Sequence, residues 1–263
     1  MYKLLALDVD GTLLNSQGEV TDKTVKSIRE LVSKGVLVLI CTGRPTQGTV
    51  ELFEKLGLKM PVIAYNGAKI VNLNTGAILH EQNLRGIDVK KIVEIGEELK
   101  TTIIIWSNNQ LYTNTMNDNV IAYKKLSGVE PIVIDDYVDI IQQGATKVLW
   151  IDEVEKIAEF QRLLDIRLDA DVNYCTSKPY YLEFIDKTVS KGRALSIICD
   201  KYELKREEII AIGDGQNDIT MLEFAGVGVA MGNSSQEVKD KADYITATND
   251  EEGIALVIDK YFR

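Results

Sequence analysis

The sequence predicts an α/β protein with a doubly wound, mostly parallel sheet and a smaller α+β domain inserted into it. Three observations support this fold class. Short apolar runs alternate with helical patterns over the first 65 residues, this alternation stops between about 84 and 186, and it resumes from Ser190. Alternating strands and helices favour right-handed crossovers and a parallel sheet. We therefore predict one domain built from residues 1–83 and 187–263, and an inserted domain at 84–186.

The N-terminal part contains three strand patterns separated by two helical patterns. The apolar runs Leu4–Leu7, Val36–Ile40 and Pro61–Tyr65 are short and unbroken, as expected of strands that are covered on both faces. Between the first two runs, residues 22–34 carry apolar side chains at helical spacing. Pro45 follows the second run and suits the first position of another helix.

The pattern changes near residue 66 and returns after the insert. A hairpin is indicated by Lys69–Asn72 and Ile78–Glu81 around Asn74-Thr75-Gly76. Within the insert we predict helices around 88–100, 117–127 and 153–165, and strands at 102–106, 146–151, 172–175 and 180–185. The last two strands follow each other without a helix, which indicates an antiparallel or mixed sheet. After the insert we predict a helix from Ser190, a strand Ile209–Ile212, a helix from Asn217 and a strand Val227–Ala230.

Composition and motif content exclude several classes of function. Forty acidic and thirty basic residues give a net charge of −10, which repels nucleic-acid phosphates and anionic bilayers, so we expect neither partner. His80 is the only histidine, and the sequence has no GxxxxGK[ST] loop, which excludes HExxH metalloprotease chemistry and a phosphate-binding loop of that type. No apolar run approaches the roughly 18 residues of a membrane helix. Cys41, Cys175 and Cys199 form no CxxC pair, which favours a reducing cytoplasm.

Polar residues follow four of the predicted strands at the point where each strand ends. Asp8-Val9-Asp10-Gly11-Thr12 follows the first strand, Cys41-Thr42-Gly43-Arg44 the second and Tyr65-Asn66-Gly67 the third. Gly213–Asp218 follows the strand Ile209–Ile212. The carboxyl ends of parallel strands share one edge of an open sheet, where ligands bind. We therefore expect these residues to lie close together, although they are distant in sequence.

Four carboxylates would meet at this edge: Asp8, Asp10, Asp214 and Asp218. Like charges at short range are unfavourable without compensation, and Mg²⁺ is the natural compensating ion because it prefers oxygen ligands and substrate phosphates. Lys191, at the start of a predicted helix, and Thr42 would add a cation and a hydroxyl group. Such a set of groups is suited to a phosphoryl group whose charge must be held during transfer.

The chemistry of the available side chains suggests two roles. The sequence shows no catalytic arrangement built on serine, cysteine or histidine, so a carboxylate is the candidate nucleophile. Aspartyl phosphate is a known covalent intermediate. Asp8 directly follows its strand and is the most rigidly placed carboxylate. Asp10 stands two residues further on, where it could give a proton to the leaving oxygen and then take one from water.

Four short motifs, taken together, resemble those of the haloacid dehalogenase (HAD) superfamily. They are Asp8-x-Asp10-Gly-Thr, Thr42-Gly-Arg, Ser190-Lys191-Gly and Gly-Asp214-x-x-Asn217-Asp218. Their order, the segment Tyr65-Asn66-Gly67-Ala68 and the insert between the second and third motifs are similar to the Cof-type phosphatases. The resemblance covers the whole chain and implies a Rossmann-like core, with residues 84–186 as a cap domain that selects the substrate.

The resemblance also implies a role for each matched residue. Asp8 would be the nucleophile and Asp10 the general acid and base, while Asp8, the backbone carbonyl of Asp10, and Asp214 would bind Mg²⁺. The phosphate would be held by the Val9 N–H, the Thr42 hydroxyl with the Gly43 N–H, the Lys191 ammonium and the Asn217 amide. Asp218 would hold Lys191 or a metal-bound water.

We therefore expect a Mg²⁺-dependent phosphatase acting on phosphomonoesters of small metabolites, such as sugar phosphates, with no obligate protein partner indicated. Two alternatives stay open: a phosphomutase that returns the phosphoryl group to a sugar, and a catalytically silent sensor that binds sugar phosphates. Arg44 could touch the substrate or merely precede Pro45, and Asn233 could line the site or belong to a turn. The role of Asn66 is likewise open.

Overall fold

The secondary structure was determined from a computed structural model that describes residues 2–168 and 171–262. The strands are β1 (Leu4–Leu7), β2 (Leu37–Ile40), β3 (Val62–Ala64), β4 (Lys69–Val71), β5 (Ile78–Glu81), β6 (Thr102–Ser107), β7 (Gln110–Thr113), β8 (Pro131–Val133), β9 (Lys147–Ile151), β10 (Val172–Lys178), β11 (Tyr181–Asp186), β12 (Ile209–Gly213), β13 (Val227–Ala230) and β14 (Tyr244–Ile245). The α-helices are α1 (Asp22–Ser33), α2 (Val50–Leu56), α3 (Gly86–Glu98), α4 (Asp118–Ser127), α5 (Val138–Gln143), α6 (Val154–Arg167), α7 (Lys191–Lys201), α8 (Ile219–Phe224), α9 (Gln236–Lys239) and α10 (Gly253–Tyr261).

The chain divides into two compact units. The first comprises Met1–Gly43, Thr49–Leu79 and Ser190–Arg263, and the second comprises Arg44–Gly48 and His80–Val189. The boundaries lie a few residues outside the predicted insert of 84–186, and the division falls within β5. The short segment Arg44–Gly48, which the sequence pattern assigns to the first domain, belongs to the second unit.

The first unit is built on a parallel sheet in the order β14-β13-β12-β1-β2. β1 lies in register between β12 and β2, with Leu4 opposite both Ile209 and Leu37. The chain passes from β1 to β2 on one side and later returns to β12 on the other, so the strand order reverses at β1. In such sheets the ligand crevice lies at the carboxyl ends of the strands on either side of the reversal. The residues that follow β1, β2 and β12 therefore face the expected binding position.

Apolar strands form the core of this unit because each is covered on both faces. All four residues of β1 are inaccessible to solvent, as the unbroken apolar run predicts. Helix α1 follows the N-cap Thr21, whose hydroxyl accepts a hydrogen bond from the Thr24 N–H. A parallel bridge between Cys41 and Ile63 links the chain after β2 to β3, which continues into the small sheet β3-β4-β5.

The second unit is an α+β domain with a six-stranded sheet in the order β10-β11-β9-β6-β7-β8. Every pairing is antiparallel except that of β7 with β8. Helices α3 and α6 cover one face, where Trp150 packs against Phe160 and Phe184. The antiparallel pairing of β10 with β11 agrees with the prediction made from their adjacency in sequence.

A buried ion pair lies within this second sheet. Lys147 Nζ is 3.2 Å from Glu183 Oε1, and both side chains are almost completely inaccessible. Burial by itself lowers the pKa of Lys147, but the charge of Glu183 and the nearby Tyr123 outweigh this, so the pKa is raised. The Trp106 indole N–H donates to the Tyr123 hydroxyl at 2.9 Å. The positive charge of Lys147 is thus matched by the negative charge of Glu183.

The elements agree with the predictions except where the sequence signal is short. The helix expected from Pro45 starts instead as a 3-10 turn over Thr46–Thr49, and α2 begins at Val50. The elements β7, β8, α5, α9 and β14, each of six residues or fewer, were not predicted. Among helices in the described ranges, none has the length and hydropathy needed to cross a bilayer.

Candidate active site

Asp8 stands at the carboxyl end of β1, which lies between β12 and β2 in the parallel sheet. Its backbone N–H donates to the Ile212 carbonyl at 3.0 Å, so the pairing of β1 with β12 continues to this residue. The side chain is 5% exposed. The following residue, Val9, is inaccessible, and its carbonyl accepts from the N–H groups of Leu13 and Leu14 at 3.0 and 2.9 Å. Asp8 is therefore a buried carboxylate on a rigid backbone.

Lys191 lies between two carboxylates. Its Nζ donates to Asp8 Oδ1 and to Asp218 Oδ1, each at 2.5 Å, and the side chain is inaccessible to solvent. Lys191 is the first residue of α7, and the hydroxyl of the N-cap, Ser190, accepts from the Arg193 N–H at 3.1 Å. The cap fixes the first turn of the helix and with it the origin of the lysine side chain. A cation at a helix N-terminus opposes the macrodipole, and the two carboxylates offset that cost.

Asp218 connects Lys191 to the backbone that carries Asp214. While its Oδ1 accepts from Lys191, its Oδ2 accepts from the N–H groups of Asp214 and Gly215, both at 2.9 Å. Asp218 is 1% exposed. Both of its carboxylate oxygens thus accept hydrogen bonds, and the one from Lys191 corresponds to one of the two roles that the resemblance implies.

Asp214 completes a group of three carboxylates. One oxygen from each of Asp8, Asp214 and Asp218 lies within 4.8 Å of the others. Asp214 Oδ1 accepts from the Thr12 hydroxyl at 2.7 Å. Thr12 belongs to the quoted first motif, but sequence reasoning gave its side chain no role, since a threonine after a turn carries no signal of its partner. The hydrogen bond shows that Thr12 orients Asp214.

Gly11 is required between these groups. Its φ is +84°, a left-handed conformation, and a Cβ at this position would overlap the Asp214 carboxylate. Only glycine meets both conditions. The Asp-Gly-Thr sequence therefore allows the loop after β1 to pass directly beside Asp214.

The carboxylates lack enough compensating positive charge. Burial raises the pKa of Asp8 well above its usual range, the charges of Asp218 and Asp214 add to this, and Lys191 offsets it only in part. Burial and Asp218 also raise the pKa of Asp214, to about 6. For Lys191, burial lowers the pKa, but Asp218 and Asp8 outweigh it, so the pKa is raised and the ammonium stays charged. Three acids therefore share one lysine.

This donor set fits a hard divalent cation. Each of Asp8 and Asp214 uses one carboxylate oxygen in the hydrogen bonds described above, which leaves the second oxygen of each as a ligand. Oxygen-only ligands and an excess of buried negative charge are the conditions that Mg²⁺ requires. A bound cation would lower the pKa of these carboxylates, because it favours their ionised form. Asp10 does not belong to this trio, although its charge contributes to the raised pKa of Asp214.

A second group of site residues gathers around Asn66. Thr42 is inaccessible, its N–H donates to the Ile63 carbonyl, and its carbonyl accepts from the Asn66 N–H, both at 2.9 Å. The Asn66 side chain accepts from the Asn217 amide at 2.9 Å. Asn66 has a φ of +58°, a conformation that asparagine tolerates, and its side chain lies so close to Gly43 that a Cβ there would be 2.9 Å from Asn66 Oδ1. The structure thus brings Thr42, Gly43 and Asn217 together around Asn66, a contact that the sequence left open.

Three other candidates have different surroundings. Asp10 is exposed and pairs with Leu14 in an isolated bridge. The Asn233 amide donates to the Gly11 carbonyl at 2.8 Å, so Asn233 contacts the loop after β1 rather than a carboxylate. Arg44 lies in the second unit, where its guanidinium donates to the Gly48 carbonyl at 3.5 Å.

Comparison with known proteins identifies the family. The model of the haloacid dehalogenase-like hydrolases matches residues 5–258. The chain belongs to this family. A solved haloacid dehalogenase-like hydrolase from Bacteroides thetaiotaomicron is 33% identical, with a TM-score of 0.89 and 99% of each chain covered.

Two curated relatives of this HAD hydrolase come from Bacillus subtilis and carry the name 5-amino-6-(5-phospho-D-ribitylamino)uracil phosphatase. YcsE is 32% identical over 97% of this chain and 94% of its own length. YitU is 30% identical over 98% of this chain and 97% of its own length. The predicted fold class and the predicted enzyme class, a phosphomonoester hydrolase of the HAD superfamily, are confirmed.

Proposed function

We propose that this HAD hydrolase is a Mg²⁺-dependent phosphatase that cleaves phosphomonoesters of small metabolites through an aspartyl phosphate at Asp8. The observation that carries the proposal is the placement of Asp8. Asp8 lies at the end of β1, between β12 and β2, and is held by the Lys191 ammonium, which also binds Asp218. A nucleophile needs a fixed position and a neighbouring cation to receive the charge of the phosphoryl group.

The reaction proceeds in two halves. An oxygen of Asp8 attacks phosphorus, the bond from phosphorus to the ester oxygen breaks, and the leaving oxygen takes a proton from Asp10. Asp10 then removes a proton from water, and the resulting hydroxide attacks the phosphorus of the aspartyl phosphate. The bond from phosphorus to Asp8 breaks and releases inorganic phosphate. Asp10 is exposed, which suits a group that exchanges protons with an ester oxygen and then with water.

The phosphoryl oxygens are held by donors that are fixed in place. We assign this role to the Val9 and Gly43 N–H groups, the Thr42 hydroxyl, the Lys191 ammonium and the Asn217 amide. Lys191 and Thr42 are inaccessible to bulk solvent, so their interaction with the phosphate is weakly screened. Asn66 accepts a hydrogen bond from the Asn217 side-chain amide and thereby fixes the orientation of that amide.

The residues that would hold Mg²⁺ are Asp8, the backbone carbonyl of Asp10, and Asp214. When bound, the ion neutralises the carboxylates and polarises the phosphoryl group. Thr12 orients Asp214, and Asp218 holds both Lys191 and the Asp214 backbone. Burial raises the pKa of Asp8, and a bound cation would lower it again because it favours the ionised carboxylate.

The substrate class is a primary phosphate of a sugar or polyol, and we propose that the insert selects it. The names of YcsE and YitU specify a ribityl phosphate, which is such an ester. None of the three cysteines, all within the described residues, forms a disulfide, which supports the prediction of a cytoplasmic location.

A panel of phosphorylated metabolites with Mg²⁺ tests the proposal. The panel should include 5-amino-6-(5-phospho-D-ribitylamino)uracil, sugar phosphates and an aryl phosphate. We expect inorganic phosphate to be released from at least one sugar or polyol phosphate and the release to stop when EDTA removes the metal. An isomeric sugar phosphate as product would indicate a phosphomutase instead. Binding of these esters without release of phosphate would indicate a sensor.

A further inference from the structure

The loop after the nucleophile contains one side chain that burial does not fix. Thr12, Leu13 and Leu14 are buried, whereas Asp10 is exposed. Packing constrains an exposed side chain less than a buried one, so the position of the Asp10 carboxylate depends also on the path of the backbone that carries it. That path is set by the contacts that the rest of the loop makes.

The inner side of the loop is fixed by the strand that precedes it. The Val9 carbonyl accepts from Leu13 and Leu14, which closes a tight turn directly after β1. The following peptide at Gly11 has a positive φ and leaves no space for a side chain beside Asp214. These contacts fix the path of the loop but do not involve the carbonyl of Gly11.

Two asparagines hold the outer side of the loop. Asn233 Nδ2 donates to the Gly11 carbonyl at 2.8 Å, and Asn249 Nδ2 donates to the Leu14 carbonyl at 2.8 Å. The two asparagines are linked to each other, because the Asn249 N–H donates to Asn233 Oδ1 at 3.0 Å. We call Asn233 and Asn249 the asparagine brace.

The asparagine brace is attached to the central sheet. The Met231 N–H, two residues before Asn233, donates to the Gly213 carbonyl at 3.0 Å, immediately before Asp214. The Gly232 N–H donates to the Ala247 carbonyl at 3.0 Å, which joins the two segments that carry the brace. The asparagine brace thus connects the ends of β12 and β13 to the loop that carries Asp10, through the bond from Asn233 to the Gly11 carbonyl.

We propose that Asn233 is a positioning residue for proton transfer: by holding the Gly11 carbonyl, it directs the Asp10 carboxylate toward the leaving oxygen. This inference rests on the proposed function, because it assumes that Asp10 protonates the leaving group. Nothing about Asn233 requires contact with the substrate. Its amide satisfies one carbonyl of the loop and one N–H of the neighbouring segment.

A positioning role has a distinct kinetic signature. Protonation by a general acid matters most when the leaving group is a poor one, such as an alkoxide, and least when it is a stable anion such as p-nitrophenolate. The ratio kcat/KM covers only the steps up to the aspartyl phosphate, so the hydrolysis half, which is common to both esters, does not mask the difference. A variant that only weakens the fold would lower both rates alike.

The experiment compares wild type, Asn233→Ala and Asp10→Asn on two esters at saturating Mg²⁺. The esters are p-nitrophenyl phosphate and the best sugar or polyol phosphate of the panel. We expect kcat/KM of Asn233→Ala to fall about tenfold more for the alkyl ester than for the aryl ester, consistent with the loss of about one hydrogen bond in the positioning of an acid. Asp10→Asn should show the same bias more strongly. Adding Asn233→Ala to Asp10→Asn should change kcat/KM little further on either ester.

The matched control is Asn74→Ala, which changes an exposed asparagine of the β4–β5 turn and should leave both rates unchanged. An equal fall on both esters, or no fall, in an Asn233→Ala protein that keeps the wild-type Tm would overturn the inference. Wild-type protein that hydrolyses neither ester would overturn the proposed function, and the inference with it. A bias seen with Asp10→Asn but not with Asn233→Ala would leave the proposed function in place and overturn the inference alone.

Discussion

Lys147 and Lys191 are both buried next to acids, and their surroundings differ in one respect. Lys147 in the insert pairs with Glu183, beside the Tyr123 hydroxyl, and the charges balance. Lys191 at the sheet edge binds Asp8 and Asp218, with Asp214 close by, and the negative charges are in excess. Both lysines have a raised pKa because neighbouring acids outweigh burial.

This difference in charge distinguishes a structural ion pair from a functional site. A buried ion pair whose charges cancel needs no further counterion, and replacing it by apolar side chains often leaves the free energy of unfolding unchanged. A buried cluster with excess charge costs stability unless a ligand supplies the missing cation, and such strain is typical of active sites. The predictions below test whether the two lysines differ in this way.

The largest expected effect is on turnover when the nucleophile is replaced. Asp8→Asn keeps the size of the side chain but removes the attacking carboxylate, so we expect kcat to fall by at least ~10³-fold. Because the substitution removes one of the crowded charges, the metal-free variant should unfold at a Tm no lower than that of wild type. Steady-state phosphate release and thermal unfolding measure the two effects. Substantial turnover by Asp8→Asn would rule out Asp8 as the nucleophile.

The balanced pair should matter for stability. Lys147→Met leaves Glu183 buried without its cation, and we expect the free energy of unfolding to fall by about 3–5 kcal/mol. Adding Glu183→Leu should recover most of that loss. Denaturant unfolding measures both, with or without Mg²⁺. The control is Lys241→Met, which breaks an exposed pair with Glu223 and should cost less than about 1 kcal/mol. If the double variant were no more stable than Lys147→Met, the pair would not be the structural unit described here.

The unbalanced cluster should respond to metal and to pH. Because the pKa of Asp214 is raised from 3.8 to about 6 in the folded protein, the folded state binds a proton more tightly than the unfolded chain. The stability of the metal-free protein therefore falls as the pH rises through this range. The groups that face Asp214 are Asp8, Asp218, Asp10, Thr12 and Lys191. The Thr12 hydroxyl and the Lys191 ammonium lower the pKa of Asp214, but burial and Asp218 outweigh them.

Saturating Mg²⁺ should remove this loss and raise the Tm at pH 8 by about 5–10 °C, with a smaller gain at pH 5. Thermal unfolding in EDTA and in Mg²⁺ across this range measures the effect. An equal gain at both pH values would show that the ion binds away from these carboxylates.

The smallest expected effect concerns the orientation of Asp214. Thr12→Val keeps the shape of the side chain but removes the hydroxyl that donates to Asp214 Oδ1. We expect the Mg²⁺ concentration needed for half-maximal activity to rise about tenfold, as is usual when a partner of a metal ligand is lost. Thr12→Ser should restore it. A Mg²⁺ requirement unchanged in Thr12→Val would remove Thr12 from the site.

Much of this picture follows from the sequence, because the site lies at strand ends. Leu4–Leu7 and Ile209–Ile212 are unbroken apolar runs, and the topology of a doubly wound sheet places the residues after them side by side. The convergence of Asp8 with Asp214, more than 200 positions apart, was predictable for this reason. Lys191 was predictable as well, since Ser190 is a strong N-cap that fixes where α7 begins.

The parts that sequence reasoning did not yield are contacts made between loops. The bond from Asn217 to Asn66 and the bond from Asn233 to Gly11 join segments whose relative position no periodicity encodes. Short elements gave too little signal: β8 has three residues and β7 four. The difference in charge balance around Lys191 and Lys147 could not be predicted, because the burial of a side chain and its ion-pair partners depend on the packed structure.

The excess negative charge around Lys191 predicts a divalent cation beside Asp8, and a crystal structure of the protein with Mn²⁺ tests this most directly. We expect one strong anomalous peak within bonding distance of carboxylate oxygens of both Asp8 and Asp214, and its loss in Asp214→Asn. A fully ordered site with no anomalous peak between these two carboxylates, in crystals of enzyme that is active with Mn²⁺, would contradict the account.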